Sequence, residues 1–156
     1  MVGRGGGAGG WLLGQALRSA AIIAAVCGLA LAPLADAPAA GNLLKRAERL
    51  EALELNAGTG FSIKAYDLET GVYYRWRIVS DGREEYRLMA PELFRNSWID
   101  RVSIEDREVR PMGLHAVEFD DEGEIDIWFV PIRHGDYRFY IESLESEGFE
   151  GVMHVR

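Results

Sequence analysis

Thiol chemistry is nearly absent from this chain. It has one cysteine, Cys27, inside the apolar run "SAAIIAAVCGLALAPLA" (19–35). Ala24 and Val26 do not fit a lipid-attachment signal around that cysteine. Past this run the chain can form no disulfide, use no thiolate nucleophile and offer a metal no sulfur but thioether. Imidazole is scarce too. The three histidines, His115, His134 and His154, are dispersed. No G-x-S-x-G, H-E-x-x-H or phosphate-loop motif occurs, and no spacing singles out an acid–base pair. An enzyme is therefore not expected. Positive charge is also in deficit, with 17 Lys and Arg against 25 Asp and Glu, a net charge of −8. Only Arg4, Arg18 and Asp36 are charged within residues 1–40, so the remainder carries −9. That balance argues against nucleic-acid binding, which needs a basic footprint.

What is present begins with an export signal. Arg4 and Arg18 precede the apolar run, and "DAPAA" follows with small residues at Ala37 and Ala39. The A-x-A spacing predicts cleavage after Ala39, leaving a periplasmic or otherwise exported body. The alternative is an uncleaved anchor, which would associate the chain with a membrane through its N-terminal segment. Next, "NLLKRAERLEALEL" (42–55) has Leu43, Leu44, Ala47, Leu50 and Leu53 at helical spacing behind Asn42, which predicts a short helix. "NAGTG" (56–60) reads as a linker.

From Phe61 the hydrophobic period is two. "FSIKAYDL" (61–68) and "VYYRWRIVS" (72–80) are expected to pair through the turn "ETG". Val72, Tyr74, Trp76 and Ile78 would share one face, opposite Tyr73, Arg75, Arg77 and Val79. "YRLM" starts another strand, followed by an irregular connection broken at Pro91. "IDRVSIEDREVRPM" (99–112) reads as two short strands about Glu105–Asp106. "AVEF", "EIDIWFVP" (124–131), "YRFYI" (137–141) and "FEGVMHV" (149–155) complete the set. Six to eight short strands, with turns about every ten residues, imply an all-β sandwich or barrel over residues 61–156.

At "DGREEYRLMAPELF" (81–94) and "EIDIWFVPIRHGDYRFYI" (124–141) the chain resembles the cupredoxin family. The matching pieces are Asp81–Gly82, Ala90–Pro91–Glu92–Leu93–Phe94, and Phe129 through Tyr140, with His134 where the family usually has proline. The resemblance implies a Greek-key β-sandwich. It also places the family's copper-ligand positions: the upstream histidine at Tyr86, the cysteine at Ile141, and the methionine at or near Phe149. A blue-copper centre needs two imidazoles and a thiolate with a weak axial thioether. Isoleucine offers no electron pair, so blue-copper electron transfer is excluded at this site, and no cofactor is expected.

Other donors have weaker claims. "MGLH" (112–115) sets a thioether and an imidazole three residues apart, making Met112 and His115 the metal-ligand candidates. Met153 and His154 are strand neighbours and point to opposite faces. The acidic run "EFDDEGEID" (118–126) lacks the calcium-loop register and reads as a solvated turn. Trp98, Trp128 and Arg95 form a candidate contact surface, because tryptophan and arginine are favoured at binding hot spots. The expectation is an exported, non-catalytic cupredoxin-like module with an unidentified protein partner. Its rivals are a Met/His copper-handling protein and an anchored accessory subunit of a membrane redox complex.

Overall fold

A computed structural model describes residues 45–156. The predicted signal or anchor, and Asn42, Leu43 and Leu44, lie outside the described residues. Two mixed sheets face each other. The first holds β1 (Glu48–Arg49), β2 (Leu53–Asn56), β3 (Gly60–Phe61), β5 (Tyr74–Asp81), β7 (Ser97–Ile104), β8 (Arg107–Val109) and β10 (Glu122–Pro131). Its order is β3-β2-β5-β10-β7-β8, with β1 also on β5. The second runs β4-β12-β11-β6-β9, from β4 (Ala65–Leu68), β6 (Tyr86–Met89), β9 (Ala116–Phe119), β11 (Gly135–Ile141) and β12 (Glu150–Val155). Of the strands adjacent in sequence, only β2–β3, β7–β8 and β11–β12 pair with each other; β1 and β2 both lie on β5, and the chain otherwise steps between sheets.

Period two explains why these segments are strands. Along β5, Tyr74, Trp76 and Ile78 are buried, while Arg75, Arg77 and Val79 look outward. Ile125, Ile127 and Phe129 of β10 and Tyr137, Phe139 and Ile141 of β11 supply matching inward rows. Aromatic side chains join the layers. Tyr66 meets Trp76 edge-on at 6.2 Å, and Phe139 lies 5.5 Å from Trp76 and 5.3 Å from Phe61. Each such pair adds roughly 0.5–1.5 kcal/mol beyond its burial.

Four expectations are corrected. The helix over 42–55 is not formed in its described part: Glu48–Arg49 pairs in parallel with Tyr74–Arg75, and Leu53–Leu55 with Ile78–Ser80. The edge of β5 offers unpaired backbone groups, and Leu53 and Leu55, alternating with Glu54, are fully buried there. Burial on a sheet outweighs a helical spacing that only suggested one. "NAGTG" is accordingly the β2–β3 hairpin turn, closed by Thr59 N–H to Asn56 O, rather than a linker. Residues 61–68 and 72–80 do not pair. β4 runs parallel to β12 in the opposite sheet, so the apolar faces of β4 and β5 meet across the core. Finally, Pro91 opens a short helix, α1 (Pro91–Arg95), at the position where its missing N–H is harmless.

Candidate functional site

The three positions that the cupredoxin resemblance assigns to copper ligands, Tyr86, Ile141 and Phe149, come together in the structure. Tyr86, Ile141 and Phe149 are all buried. The Tyr86 and Phe149 rings lie 5.3 Å apart, Phe149 stands edge-on to Phe61 at 5.4 Å, and Ile141 N–H donates to Phe149 O at 3.0 Å. The only polar atom these side chains offer is the Tyr86 hydroxyl, which donates to Asp81 Oδ1 at 2.9 Å. Burial, and then that carboxylate, hold the phenol well above its ordinary pKa, so it stays protonated. Burial pushes Asp81 up. Hydrogen bonds from the Arg83 backbone, Tyr86 and the Ala57 backbone outweigh it and keep the carboxyl below the usual range. A type 1 copper ion does not fit this donor set.

The loop beyond Ile141 is fastened rather than open. It makes one turn of 3-10 helix, Glu145–Glu147, and turns back at Gly148 with φ of 90°. Phe61 N–H and the Lys64 ammonium both donate to Gly148 O. Gly60, with φ of +76°, passes so close that a Cβ there would stand 2.4 Å from the same oxygen.

Two surface features lie elsewhere. A groove of about 510 Å³ is lined by Pro91, Arg95, Trp98, Met112 and His115, among others. Trp98 is 44% exposed and Met112 fully exposed. Arg95, Trp98, Met112 and His115 are thus brought to one groove. Trp128 is not part of it. It lies on the outer face of the first sheet between two guanidinium groups, 4.4 Å from Arg101 and 5.2 Å from Arg75. Arg75 and Arg77 both grip Asp126 with two hydrogen bonds each, at 2.5–3.0 Å. Burial pushes the Asp126 carboxyl up, but the hydrogen bonds and charges of Arg75 and Arg77 win and hold it below its ordinary value.

Lys45, Arg46, Arg49, Tyr73 and Asp100 join Arg75, Arg101 and Trp128 around a cleft of about 400 Å³. Single members of this set stand out in the sequence, but the cleft does not. The available signal was the outward alternation of Arg75 with Arg77 and of Asp126 with Trp128. Of the remaining histidines, His134 is exposed in the turn before β11. His154 contacts Asp136 through Nδ1 at 2.7 Å, with Met153 buried on the opposite face. Among the described residues, no group of three or more His, Cys, Asp or Glu is placed to hold a metal ion. No helix among them is long and apolar enough to cross a membrane.

No family description and no curated protein matches this sequence. Solved structures do resemble the fold. A multicopper oxidase from Pseudomonas thermotolerans aligns with a TM-score of 0.54 and 15% identity, over 80% of this chain and 33% of the oxidase. The multicopper oxidase of Campylobacter jejuni, a metallo-oxidase, aligns at 0.50 and 8%, over 71% of this chain and 30% of its own. This chain therefore spans about a third of either oxidase. At such identities the likeness concerns fold alone. By fold, this is a cupredoxin-like domain.

Proposed function

We propose that the chain is an exported, non-catalytic cupredoxin-like binding or accessory module that works through protein contacts. The observation that carries this reading is the set of side chains at the family's metal-ligand positions. Phe149 packs against Tyr86 and Phe61 and accepts the Ile141 N–H through its backbone, and all of these residues are buried. Hydrocarbon at those positions contributes to the core, about 1.5–3 kcal/mol per buried side chain, and gives copper nothing to bind. The groove around Arg95 and Trp98 supplies the contact surface, with an exposed aromatic beside an exposed cation. Export follows from the charge-flanked apolar run and the small residues before Ala39.

A second reading draws on the same groove. Met112 and His115 both line it and are both exposed, so a thioether and an imidazole are available together to a soft metal. One experiment separates the two: affinity capture from the native periplasm and membrane fraction, with metal analysis of what is recovered. The accessory-module reading expects a defined partner that is lost with Trp98→Ala and Arg95→Ala, and no stoichiometric copper. One copper per chain, abolished by Met112→Ala with His115→Ala, would replace it with metal handling. Recovery only in detergent, with an intact N-terminus by mass spectrometry, would instead point to an anchored subunit.

A further inference from the structure

The cleft on the first sheet is built on a single cross-strand row. In the ladder, Arg49 of β1 stands beside Arg75 of β5, Arg75 opposite Trp128 of β10, and Trp128 opposite Arg101 of β7. Three guanidinium groups and an indole therefore occupy one line across four strands. Like charges at facing ladder positions are destabilising, and Arg49 beside Arg75 is such a pair. The β10–β7 register slips immediately after Trp128, and irregularities of this kind are enriched next to functional sites.

Some of these cations are engaged and others are not. Arg75 is held by Asp126, and Arg110 is held by Asp100 at 2.8 Å and Glu108 at 2.9 Å. Arg101 is not held in this way. Its nearest carboxylates, Asp100 and Glu108, stand 3.9 and 3.5 Å away, and its Nε is buried with no hydrogen-bond partner. Stacking on Trp128 fixes that guanidinium without satisfying its donors. Among the described residues, Lys45, Arg46 and Arg49 form no ion pair, although all three are exposed at the same cleft. Five cations and one carboxylate, Asp100, line a cleft of about 400 Å³ on a chain of net charge −8. This is a local reversal of the overall sign.

We propose that this cleft binds a small multivalent oxyanion, a polycarboxylate or a pyrophosphate-like group, with Arg101 and Arg49 as principal donors and Trp128 as the rigid floor between them. Guanidinium forks match both carboxylate and phosphate oxygens. The cleft volume lies in the small-molecule range, roughly 300–1,000 Å³. The acidic remainder of the chain disfavours a long polyanion such as nucleic acid. This site is separate from the Arg95–Trp98 groove and does not depend on how that groove is used.

Isothermal titration of the full chain with citrate and with pyrophosphate, at low and at moderate salt, tests the proposal. At least one should bind with a stoichiometry of one and weaken as salt rises; which one binds identifies the oxyanion. Arg101→Gln should weaken binding by on the order of tenfold or more, as loss of a charge-assisted hydrogen bond implies. Arg49→Gln, whose exposed side chain forms no hydrogen bond or ion pair among the described residues, should do likewise if Arg101→Gln perturbs folding. Arg83→Gln removes the same charge from a turn outside the cleft and should leave affinity unchanged. The proposal fails if neither anion binds, if both cleft variants bind as the parent does, or if Arg83→Gln weakens binding as much as they do.

Discussion

Replacing Asp126 with asparagine should destabilise the sandwich through its outer face. The carboxylate is nearly buried, with Arg75 and Arg77 over it, each donating through Nε and Nη2. Asparagine keeps the shape but turns one acceptor oxygen into an NH2 donor, which would face guanidinium donors. It also leaves two cations without their shared counter-charge. Breaking a buried ion pair from one side costs about 3–5 kcal/mol. Here the Arg75 and Arg77 side chains are 20% and 36% exposed, so water recovers part of the loss. Arg77 also keeps Glu124 at 3.0 Å. A loss of about 2 kcal/mol is expected. With a urea slope of roughly 1–3 kcal/mol per molar, the unfolding midpoint should fall by about 1 M at neutral pH.

The pH dependence gives the same prediction a second test. Asp126 is held below its ordinary value in the fold, so its contribution is complete above the unfolded aspartate pKa of about 3.9. It disappears as pH falls through the lower, folded value. Asparagine does not titrate. The gap between parent and variant should therefore narrow in acid, below about pH 4. A midpoint shift under about 0.3 M, or a gap that stays constant to the acid limit of the folded state, would rule out this role for the Asp126 carboxylate.

Three further outcomes are expected from the same denaturation assay. Phe149→Ala empties the space between Phe61 and Tyr86 and should cost about 3–5 kcal/mol. Tyr86→Phe keeps the ring but removes the donor to Asp81, costing about 1–2 kcal/mol, with the Asp81 carboxyl titrating higher by NMR. Gly151→Ala places a Cβ 2.2 Å from Phe139 Cζ and 2.8 Å from Lys64 O, and should cost about 1–3 kcal/mol through overpacking.

Much of the sandwich could be read from alternation. β5, β10 and β11 bury the rows that their period of two assigns to one face, and the turn at Glu105–Asp106 lies between β7 and β8. Pairing partners could not be read in this way. Period two says that β4 has an apolar face, not that its neighbour is β12 from the far end of the chain. The leucines before residue 56 misled because Leu50 and Leu53 fit a helix while Leu53 and Leu55 fit a strand. The vacant edge of β5, which exists only after folding, decides between them.

The candidate sites were legible to different degrees. Tyr86, Ile141 and Phe149 were named from a motif, and they meet in space because β6 and β12 flank β11. Composition groups Trp98 with Trp128, yet they occupy separate surfaces, since each location depends on strand register. The Arg49–Arg75–Trp128–Arg101 row is invisible in the sequence for the same reason. Its members come from four strands whose order was unknown before the fold.

Tyr86, Ile141 and Phe149 fill with packed side chains the positions that the cupredoxin resemblance assigns to copper ligands. Copper titration of a Cys27→Ser, Met112→Ala, His115→Ala variant, with copper per chain measured by mass spectrometry, probes that closure without other donors. No stoichiometric copper and no thiolate–copper absorption band are expected. One tightly held copper per chain in that variant would contradict it.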